Sequence, residues 1–320
     1  SPKTVVELWC RAEDGHSVVL LVHGLRPYFD IAIPGPPSPE QDPDLGSVSE
    51  MSEVVEVSDP VMKWTRHGMK RHWRVYANQP YSVRNLRKKL DDWEITSADI
   101  LFVNRLMLDL DLGPHISAGG RVLWAGKRAP EHSKNDDNTS EVNSEKAIVA
   151  AGGAGLYPVD MVISCNLGDL EKTDTFPAPF VSFSFDLETS ISTNRILCAA
   201  AVVDRNGSRS EHEFTGSERE IMEGLTKLVR DEDPDFITGY NIDNFDLPRM
   251  QERSEVICPR PKIDRLPLFG WGRVPSSDNE SRRVFPQRQQ NRVWRIVGRI
   301  PMDAWWQARQ TLRPQRETLG

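Results

Sequence analysis

The stretch from residue 180 to residue 253 alternates short apolar runs with amphipathic segments, and this order limits the folds that the chain can adopt. Strand-length segments occur at Phe180–Leu187, Ile196–Asp204, Glu211–Phe214 and Asp235–Tyr240. Ser217–Arg230 has helical apolar spacing and a capping box formed by Ser217 and Glu220, and a second helix is expected over Asp243–Arg253. This β-β-β-α-β-α order predicts an α/β (α+β) fold with a mixed central sheet.

The N-terminal part also carries periodic apolar segments. They predict strands at Thr4–Cys10, His16–Val22, Leu25–Ile33 and Lys70–Ala77, and helices at Tyr81–Trp93 and Phe102–Asp109. Ser82 is the expected cap of the first helix.

Two segments interrupt this pattern. Residues 34–60 are rich in Pro, Ser and acids and predict an exposed loop, whereas residues 128–155 predict a flexible linker or a long surface loop. We therefore expect an N-terminal mixed α/β domain at 1–127, a linker or insertion with connecting strands at 128–175, and a second domain at 176–320.

The composition excludes several classes of protein. The 320 residues include 40 Lys and Arg against 47 Asp and Glu, a net charge of −7, which is typical of a soluble globular chain. No apolar run approaches the roughly 18–20 residues of a membrane span. The cysteines are dispersed, which argues against a zinc site or a disulfide framework and favours a cytoplasmic location; they are Cys10, Cys165, Cys198 and Cys258.

The acidic total conceals strong segregation of charge. Residues 36–60 contain seven acids and no Lys or Arg, whereas residues 61–89 contain nine bases and no acid. Residues 271–316 contain ten arginines against three acids. Tryptophans are interleaved with these basic stripes: Trp64, Trp73, Trp294, Trp305 and Trp306. This pattern favours surfaces that follow a nucleic-acid backbone. Solvated faces with aromatic core residues are the alternative.

Paired carboxylates end the first strand of the C-terminal part. Asp186 and Glu188 are two residues apart in an extended chain, so their side chains point to the same side. Their mutual repulsion is most simply offset by a divalent cation, and oxygen-only ligands favour Mg²⁺ or Mn²⁺ over zinc. Ordinary surface acids are the alternative.

A third carboxylate follows the strand Asp235–Tyr240. The sequence Gly-Tyr-Asn-Ile-Asp-Asn-Phe-Asp at 239–246 passes through a tight turn into a helix, and Asp246 at the start of that helix could join the same site. Asn241 could cap the helix or hold a substrate group. Alternatively, Asn241 is a turn residue and Asp246 complements the helix dipole.

The segments Phe-Asp-Leu-Glu-Thr at 185–189 and Gly-Tyr-Asn-Ile-Asp-Asn-Phe-Asp-Leu-Pro at 239–248 resemble the first two exonuclease motifs of family B DNA polymerases. The order, separation and local structure of the two motifs agree with that family, and Gly298–Asp303 resembles the strand after its editing hairpin. The resemblance implies a ribonuclease H-like DEDD 3′-5′ exonuclease domain. Its implied catalytic and metal-binding residues are Asp186, Glu188 and Asp246, its substrate contacts Leu187, Thr189, Asn241 and Phe245, and its candidate DNA-backbone contacts Arg282, Arg283, Arg288 and Arg292.

The N-terminal part is similar to the archaeal members of the family at 26–29 and 99–105. In that domain the family captures template-strand uracil. The resemblance implies a pocket for a flipped base at Pro27, Tyr28, Ile100, Phe102 and Arg105.

The resemblance further implies two-metal hydrolysis at a DNA 3′ end, with single-stranded template and primer 3′ end as partners, and a location on the cytoplasmic nucleoid. The third motif, a Tyr-x-x-x-Asp helix, is expected after residues 303–320. We therefore expect an N-terminal fragment of a larger polymerase with weak or no nuclease activity of its own, and a sliding-clamp contact outside it. The alternatives are a non-catalytic DNA-binding or damage-sensing module and a stand-alone nuclease acting on RNA.

Overall fold

The structure is a computed structural model, and it describes residues 4–34, 45–125, 157–275, 281–290 and 293–312. Two compact units are present. The first comprises residues 1–7, 21–120 and 165–175, and the second comprises residues 8–20, 121–164 and 176–320. No helix within the described ranges is long and apolar enough to cross a membrane.

The strands and helices follow in chain order. The strands are β1 (Val5–Arg11), β2 (Ser17–His23), β3 (Tyr28–Ala32), β4 (Val54–Val57), β5 (Val61–Thr65), β6 (Gly68–Ala77), β7 (Ile95–Thr96), β8 (Ile116–Ala118), β9 (Arg121–Ala125), β10 (Met161–Asn166), β11 (Leu170–Lys172), β12 (Val181–Thr189), β13 (Ile196–Arg205), β14 (Ser208–Phe214), β15 (Phe236–Gly239), β16 (Gln287–Arg288), β17 (Trp294–Arg295) and β18 (Ile300–Asp303). The helices are α1 (Gly46–Ser49), α2 (Pro80–Lys89), α3 (Phe102–Asp109), α4 (Glu218–Glu232), α5 (Asp246–Ile257), α6 (Leu266–Phe269), α7 (Ser281–Val284) and α8 (Ala304–Thr311).

The first unit is built on a sheet in the order β4-β6-β3-β7, with β5 paired to β6. The apolar side chains of β3 and β6 alternate toward a core that includes Phe29, Ile31, Trp73 and Val75. Leu86 from α2 closes this core.

Two expectations for this unit need correction. Part of the predicted 34–60 loop is regular, because Val48 in α1 is fully buried and anchors that segment, and β4 pairs with β6; residues 35–44 lie outside the described ranges. Helix α2 begins at Pro80 rather than at Tyr81, and its N-cap is Gln79, whereas Ser82 lies inside the helix and donates to Asn78. Proline suits a first helical turn, where its missing N–H is not needed.

The second unit contains a five-stranded sheet in the order β14-β13-β12-β15-β18. β12 is antiparallel to β13 but parallel to β15, and β15 is parallel to β18, so the sheet is mixed, as the sequence predicts. Helix α4 packs Ile221, Leu225 and Val229 into the core against this sheet. Its capping box at Ser217 and Glu220 is formed as predicted.

A buried ion network lies at the beginning of β15. Asp233 and Asp235 are surrounded by Arg11, Arg273 and Arg299, and each of these five side chains is at least nine-tenths buried. Arg273 donates from Nε to Asp233 at 2.6 Å and from Nη2 to Asp235 at 3.0 Å, and Arg299 donates to Asp233 at 2.8 Å. Arg11 forms two hydrogen bonds to the Asp235 carboxylate. The carboxylates are therefore compensated by cations.

Candidate active site

The strand β12 presents two carboxylates on one face. Asp186 and Glu188 are exposed, while Leu187 between them is buried in the core. Their partners on β13 are the small residues Ala200 and Cys198, so no bulky neighbour in the ladder covers either carboxylate. The same-side arrangement expected from the sequence is present.

The strand β15 approaches β12 closely at Gly239. A Cβ atom at this position would lie 2.5 Å from the Phe185 carbonyl oxygen and 2.6 Å from Ile242 Cγ2. A larger residue would separate the two strands or displace the turn that follows. Glycine at 239 therefore lets the turn leave β15 directly beside the strand that carries Asp186.

This turn delivers Asp246 to the first position of α5. Asn241 adopts φ of +62°, a left-handed conformation that asparagine tolerates better than most residues, and its backbone oxygen accepts from Asn244 and Phe245. The N-cap position is occupied by Phe245. Asn241 is thus a turn residue, and its predicted capping role is wrong.

Asp246 is almost completely buried, and its Oδ1 accepts a hydrogen bond from the Leu187 N–H at 3.1 Å. Burial, and next the negative charge of Asp186, raise the pKa of Asp246 to about 7. Asp303 adds a smaller effect in the same direction. The neighbouring charges that raise the pKa of Asp246 are therefore those of two further acids, Asp186 and Asp303.

Residue Asp303, at the end of β18, holds this turn in place. Its Oδ1 accepts from the N–H groups of Asn241 at 2.8 Å and Trp305 at 2.9 Å, and its Oδ2 accepts from Asp243 at 3.0 Å. The parallel register of β15 and β18 pairs Gly239 with Asp303, and this pairing places the Asp303 carboxylate beside the turn that follows Gly239. Sequence analysis missed this role, although an acid between a strand and a helix is a cap signal.

Asp243 adds another acidic group to the turn. It is buried, and burial followed by the charge of Asp303 raises its pKa to about 6, while Arg288 opposes the increase. Arg288 in β16 donates to Asn244 Oδ1 at 3.0 Å, and Trp294 in β17 donates to the Asp243 carbonyl at 2.9 Å. The β16–β17 hairpin is therefore attached to the turn.

The second basic stripe is only partly a surface. Arg282 and Arg288 are exposed and Arg283 is half-buried, whereas Arg273 and Arg299 belong to the buried ion network. Trp294 is buried, and Arg292 lies outside the described residues. The expected phosphate-tracking role is wrong for Arg273 and Arg299, because their charges are used inside the fold.

The remaining predicted substrate contacts differ in accessibility. Phe245 is 38% exposed at the start of α5, with the Arg249 guanidinium 5.8 Å from its ring centroid. Thr189 is half-buried at the end of β12. The Leu187 side chain belongs to the core, and its backbone N–H donates to Asp246, so the contact of Leu187 with substrate stays a prediction.

The three residues predicted to bind metal are all carboxylates. Asp186, Glu188 and Asp246 supply only oxygen atoms, which are the donors that Mg²⁺ and Mn²⁺ prefer. Within the described part of the chain, no three His, Cys, Asp or Glu side chains are already gathered at metal-binding distances. The donor types fit the metal, but the ligand geometry is not assembled.

The predicted base pocket in the first unit is filled around Tyr28. The guanidinium carbons of Arg74 and Arg105 lie 4.0 Å and 3.8 Å from the ring centroid, and the hydroxyl donates to Asp109 at 2.7 Å. Pro27 is buried. Ile100 and Phe102, which are close to Arg105 in sequence, are half-buried. The structure thus brings Tyr28 and Arg105 together, with arginine rather than open space over the ring.

Comparisons with known proteins agree with this architecture. Residues 200–319 match the family model described as "DNA polymerase family B, exonuclease domain". The chain is 25% identical to the DNA polymerase delta catalytic subunit of Arabidopsis thaliana over 93% of this chain and 30% of that protein. It is 26% identical to a DNA polymerase of Archaeoglobus fulgidus over 79% of this chain and 29% of that protein.

The fold is also similar to a solved structure. The family B DNA polymerase from the hyperthermophilic archaeon Pyrobaculum calidifontis matches with a TM-score of 0.61 and 22% identity, over 95% of this chain and 36% of that chain. The chain thus spans about a third of the length of these proteins or less. Residues 200–319 thus match the exonuclease domain of family B DNA polymerases, and the chain as a whole is similar to DNA polymerases.

Proposed function

We propose that this chain forms the proofreading part of a DNA polymerase, in which residues 176–320 remove nucleotides from a DNA 3′ end by metal-dependent hydrolysis. The observation that carries the proposal is the position of buried Asp246 against the strand that carries Asp186 and Glu188. Its Oδ1 accepts from the Leu187 N–H at 3.1 Å, and burial, followed by the negative charge of Asp186, raises its pKa to about 7. A buried carboxylate at this cost is expected where a cation or a proton is used in chemistry.

The residues that would hold Mg²⁺ or Mn²⁺ are Asp186, Glu188 and Asp246. When bound, the metal would lower the pKa of a water molecule and stabilise negative charge on the leaving 3′ oxygen. Asp246 must be ionised to act as a ligand, so its raised pKa makes metal binding depend on pH near neutrality. The exposed ring of Phe245 is suited to contact the terminal nucleotide, and Asn241 lies in the same turn.

The arginines of the second basic stripe, residues 271–316, are suited to contact the DNA backbone. Arg282 and Arg288 are exposed, and Arg288 is attached to the turn through Asn244. We place Arg283 and Arg292 in the same contact. Their charges would attract the strand in a salt-dependent way without reading its sequence.

The nuclease proposal is tested by Mn²⁺-dependent digestion of a 5′-labelled single strand, followed by thermal unfolding of the same samples with and without Mn²⁺. We expect Mn²⁺ to stabilise the wild type and any shortening of the strand to proceed from its 3′ end. Asp186→Ala should abolish both effects, whereas Glu223→Ala, which changes an exposed acid of α4, should abolish neither. If wild type shows neither stabilisation nor cleavage, the proposal fails.

The N-terminal region 1–127 is proposed to contact single-stranded template and to sense uracil. The supporting observation is the pairing of Tyr28 with Arg105, although a base could reach the ring only after an arginine moves. Binding of uracil-containing and thymine-containing strands, with and without Mg²⁺, tests it. Metal-independent preference for uracil would support sensing, and equal binding would contradict it.

Two further parts of the proposal concern context. A sliding clamp would bind outside residues 1–320, and the protein would act on chromosomal DNA in the cytoplasm or nucleoid. The similarity to DNA polymerases supports the action on DNA. Pull-down with a clamp protein by the 320-residue chain should be negative if the contact lies elsewhere.

A further inference from the structure

The β5–β6 hairpin of the first unit exposes an apolar strip. Trp64 is 80% exposed, and Met62 and Met69 are 53% and 46% exposed. Trp64 pairs with Met69 and Met62 pairs with Arg71 across the antiparallel ladder, so the four side chains share one face. An exposed tryptophan between two exposed methionines is the type of surface that marks a binding site.

The hairpin is held from its opposite face and at its turn. Lys63, on that opposite face, forms a salt bridge with buried Asp30 and donates to Ser97 at 2.8 Å. In the turn, Thr65 Oγ1 donates to the Gly68 carbonyl at 2.8 Å, and Gly68 has a φ of +94°. These contacts fix the backbone, so the exposure of Trp64 is a property of an ordered strand rather than of a loose segment.

Basic residues border the strip, although Lys63, Lys70, Arg74 and Lys89 of the same stretch pair with acids from other segments. Residues 61–89 contain nine bases and no acid. Arg66 is exposed in the turn next to Trp64, and Arg71 lies opposite Met62 on the same face. Trp, Met and Arg are also enriched in protein interfaces, so the charge and not the composition decides the occupant. Bases attached to phosphates match it, since they combine flat apolar rings with regularly spaced negative charge.

We propose that the Trp64 face of the β5–β6 hairpin is a stacking platform for single-stranded nucleic acid. A base stacks on the Trp64 indole, Met62 and Met69 border it, and Arg66 contacts the adjacent phosphate. This rests on the proposed template contact of the N-terminal region and gives it a location separate from Tyr28 and Arg105.

The test measures binding of fluorescently labelled oligothymidylate to the 320-residue chain by anisotropy. Trp64→Ala should weaken binding by about 5- to 150-fold, the range associated with loss of one stacked base. Trp64→Phe, which keeps a flat ring, should recover much of the affinity. Tyr81→Ala is the matched control, because Tyr81 is an exposed aromatic residue of the same basic stretch but lies on α2.

Two further arms separate stacking from charge. A strand of abasic sites retains the phosphates, so Trp64→Ala should leave its binding unchanged. Arg66→Gln should lower the slope of log affinity against log salt by roughly 0.7 for thymidylate. Circular dichroism checks that each variant is folded. We expect both to fold, because Trp64 and Arg66 are exposed.

The outcomes distinguish this proposal from the proposed function. If wild type binds thymidylate but Trp64→Ala binds it equally well, the platform is wrong while template contact stands. If Trp64→Ala weakens binding to abasic strands as strongly as binding to thymidylate, base stacking on Trp64 is wrong. If wild type does not bind single strands at all, the template contact and the platform both fail, and the nuclease proposal is judged by its own assay.

Discussion

Two acidic clusters of the second unit differ in how their charge is balanced. Asp233 and Asp235 lie among three arginines, with hydrogen bonds of 2.6–3.0 Å. In contrast, burial and the negative charges of Asp186 and Asp303 raise the pKa of Asp246. In the first cluster, both carboxylates are paired with arginines inside the fold. The second keeps an unfavourable charge that a bound cation would offset. The two clusters therefore differ in that arginines pair with the first, whereas the second contains the carboxylates that we propose as metal ligands.

The largest expected effect comes from breaking the compensated cluster. Asp233→Ala leaves Arg273 and Arg299 buried without this carboxylate, which should lower the free energy of unfolding by about 3–5 kcal/mol. Urea denaturation measures the change. Asp231→Ala is the control, because its pair with Lys227 is exposed and contributes at most about 1 kcal/mol. Equal losses in both variants would show that the network is no more important than a surface pair.

The uncompensated cluster should respond to pH in the opposite sense to a salt-bridged acid. Because the pKa of Asp246 is raised to about 7 in the folded chain, the folded state retains a proton that the unfolded state releases near pH 4. The free energy of unfolding therefore falls as pH rises from about 4 to about 7. Asp246→Asn should remove its share of this decline, on the order of 2–4 kcal/mol, while the raised pKa of Asp243 keeps a smaller decline up to about pH 6.

Urea titrations of wild type and Asp246→Asn at several pH values, without divalent metal, measure the difference. The amide oxygen introduced by Asp246→Asn is still able to accept from the Leu187 N–H, so the change isolates the charge. Asp231→Asn provides an exposed control with no expected pH-dependent difference of this size. Parallel curves for wild type and Asp246→Asn would contradict the assigned ionisation.

The support of the turn is expected to have an intermediate effect. Asp303→Asn replaces one carboxylate oxygen by a donor, leaving at least one of the three bonded N–H groups without its acceptor. The unfolding free energy should fall by about 1–3 kcal/mol, and amide exchange at Asn241, Asp243 and Trp305 should accelerate. Asp204→Asn is a surface comparison, since Asp204 holds the Gly207 N–H in an exposed turn. Unchanged exchange at all three amides would exclude the clamp.

The smallest expected effect concerns metal. Asp186→Asn should leave metal-free stability unchanged or slightly higher, because it removes the charge that repels Asp246. It should also remove the stabilisation of about 1.4 kcal/mol that Mn²⁺ gives at ten times its dissociation constant. Thermal unfolding at increasing Mn²⁺ measures this, with Glu223→Gln as control. Retained stabilisation in Asp186→Asn would place the metal elsewhere.

Local patterns predicted the parts of the site that depend on neighbours in sequence. The period of a strand places Asp186 and Glu188 on one face, and Ser217 with Glu220 marks the beginning of α4. These features follow from spacing alone, so they are readable without a structure.

Features that depend on distant pairing were not predicted. Asp303 reaches Asn241, 62 residues away, only because β15 and β18 align in parallel. From the sequence, Arg273 and Arg299 are assigned to a charged surface, because no neighbouring residue indicates that they pair with Asp233 in the interior. Trp64 and Trp73 belong to the same basic stretch, yet only the fold decides that one is exposed and the other is buried.

The double role of Asp303 has a mechanical consequence. One carboxylate accepts from Trp305 in the first turn of α8 and from Asn241 and Asp243 in the turn that leads to Asp246. A tilt of α8 therefore stretches a buried hydrogen bond to that turn or pulls the turn with it. A displacement of α8 therefore reaches the position of Asp246 through the Asp303 carboxylate as well as through the backbone pairing of β15 with β18.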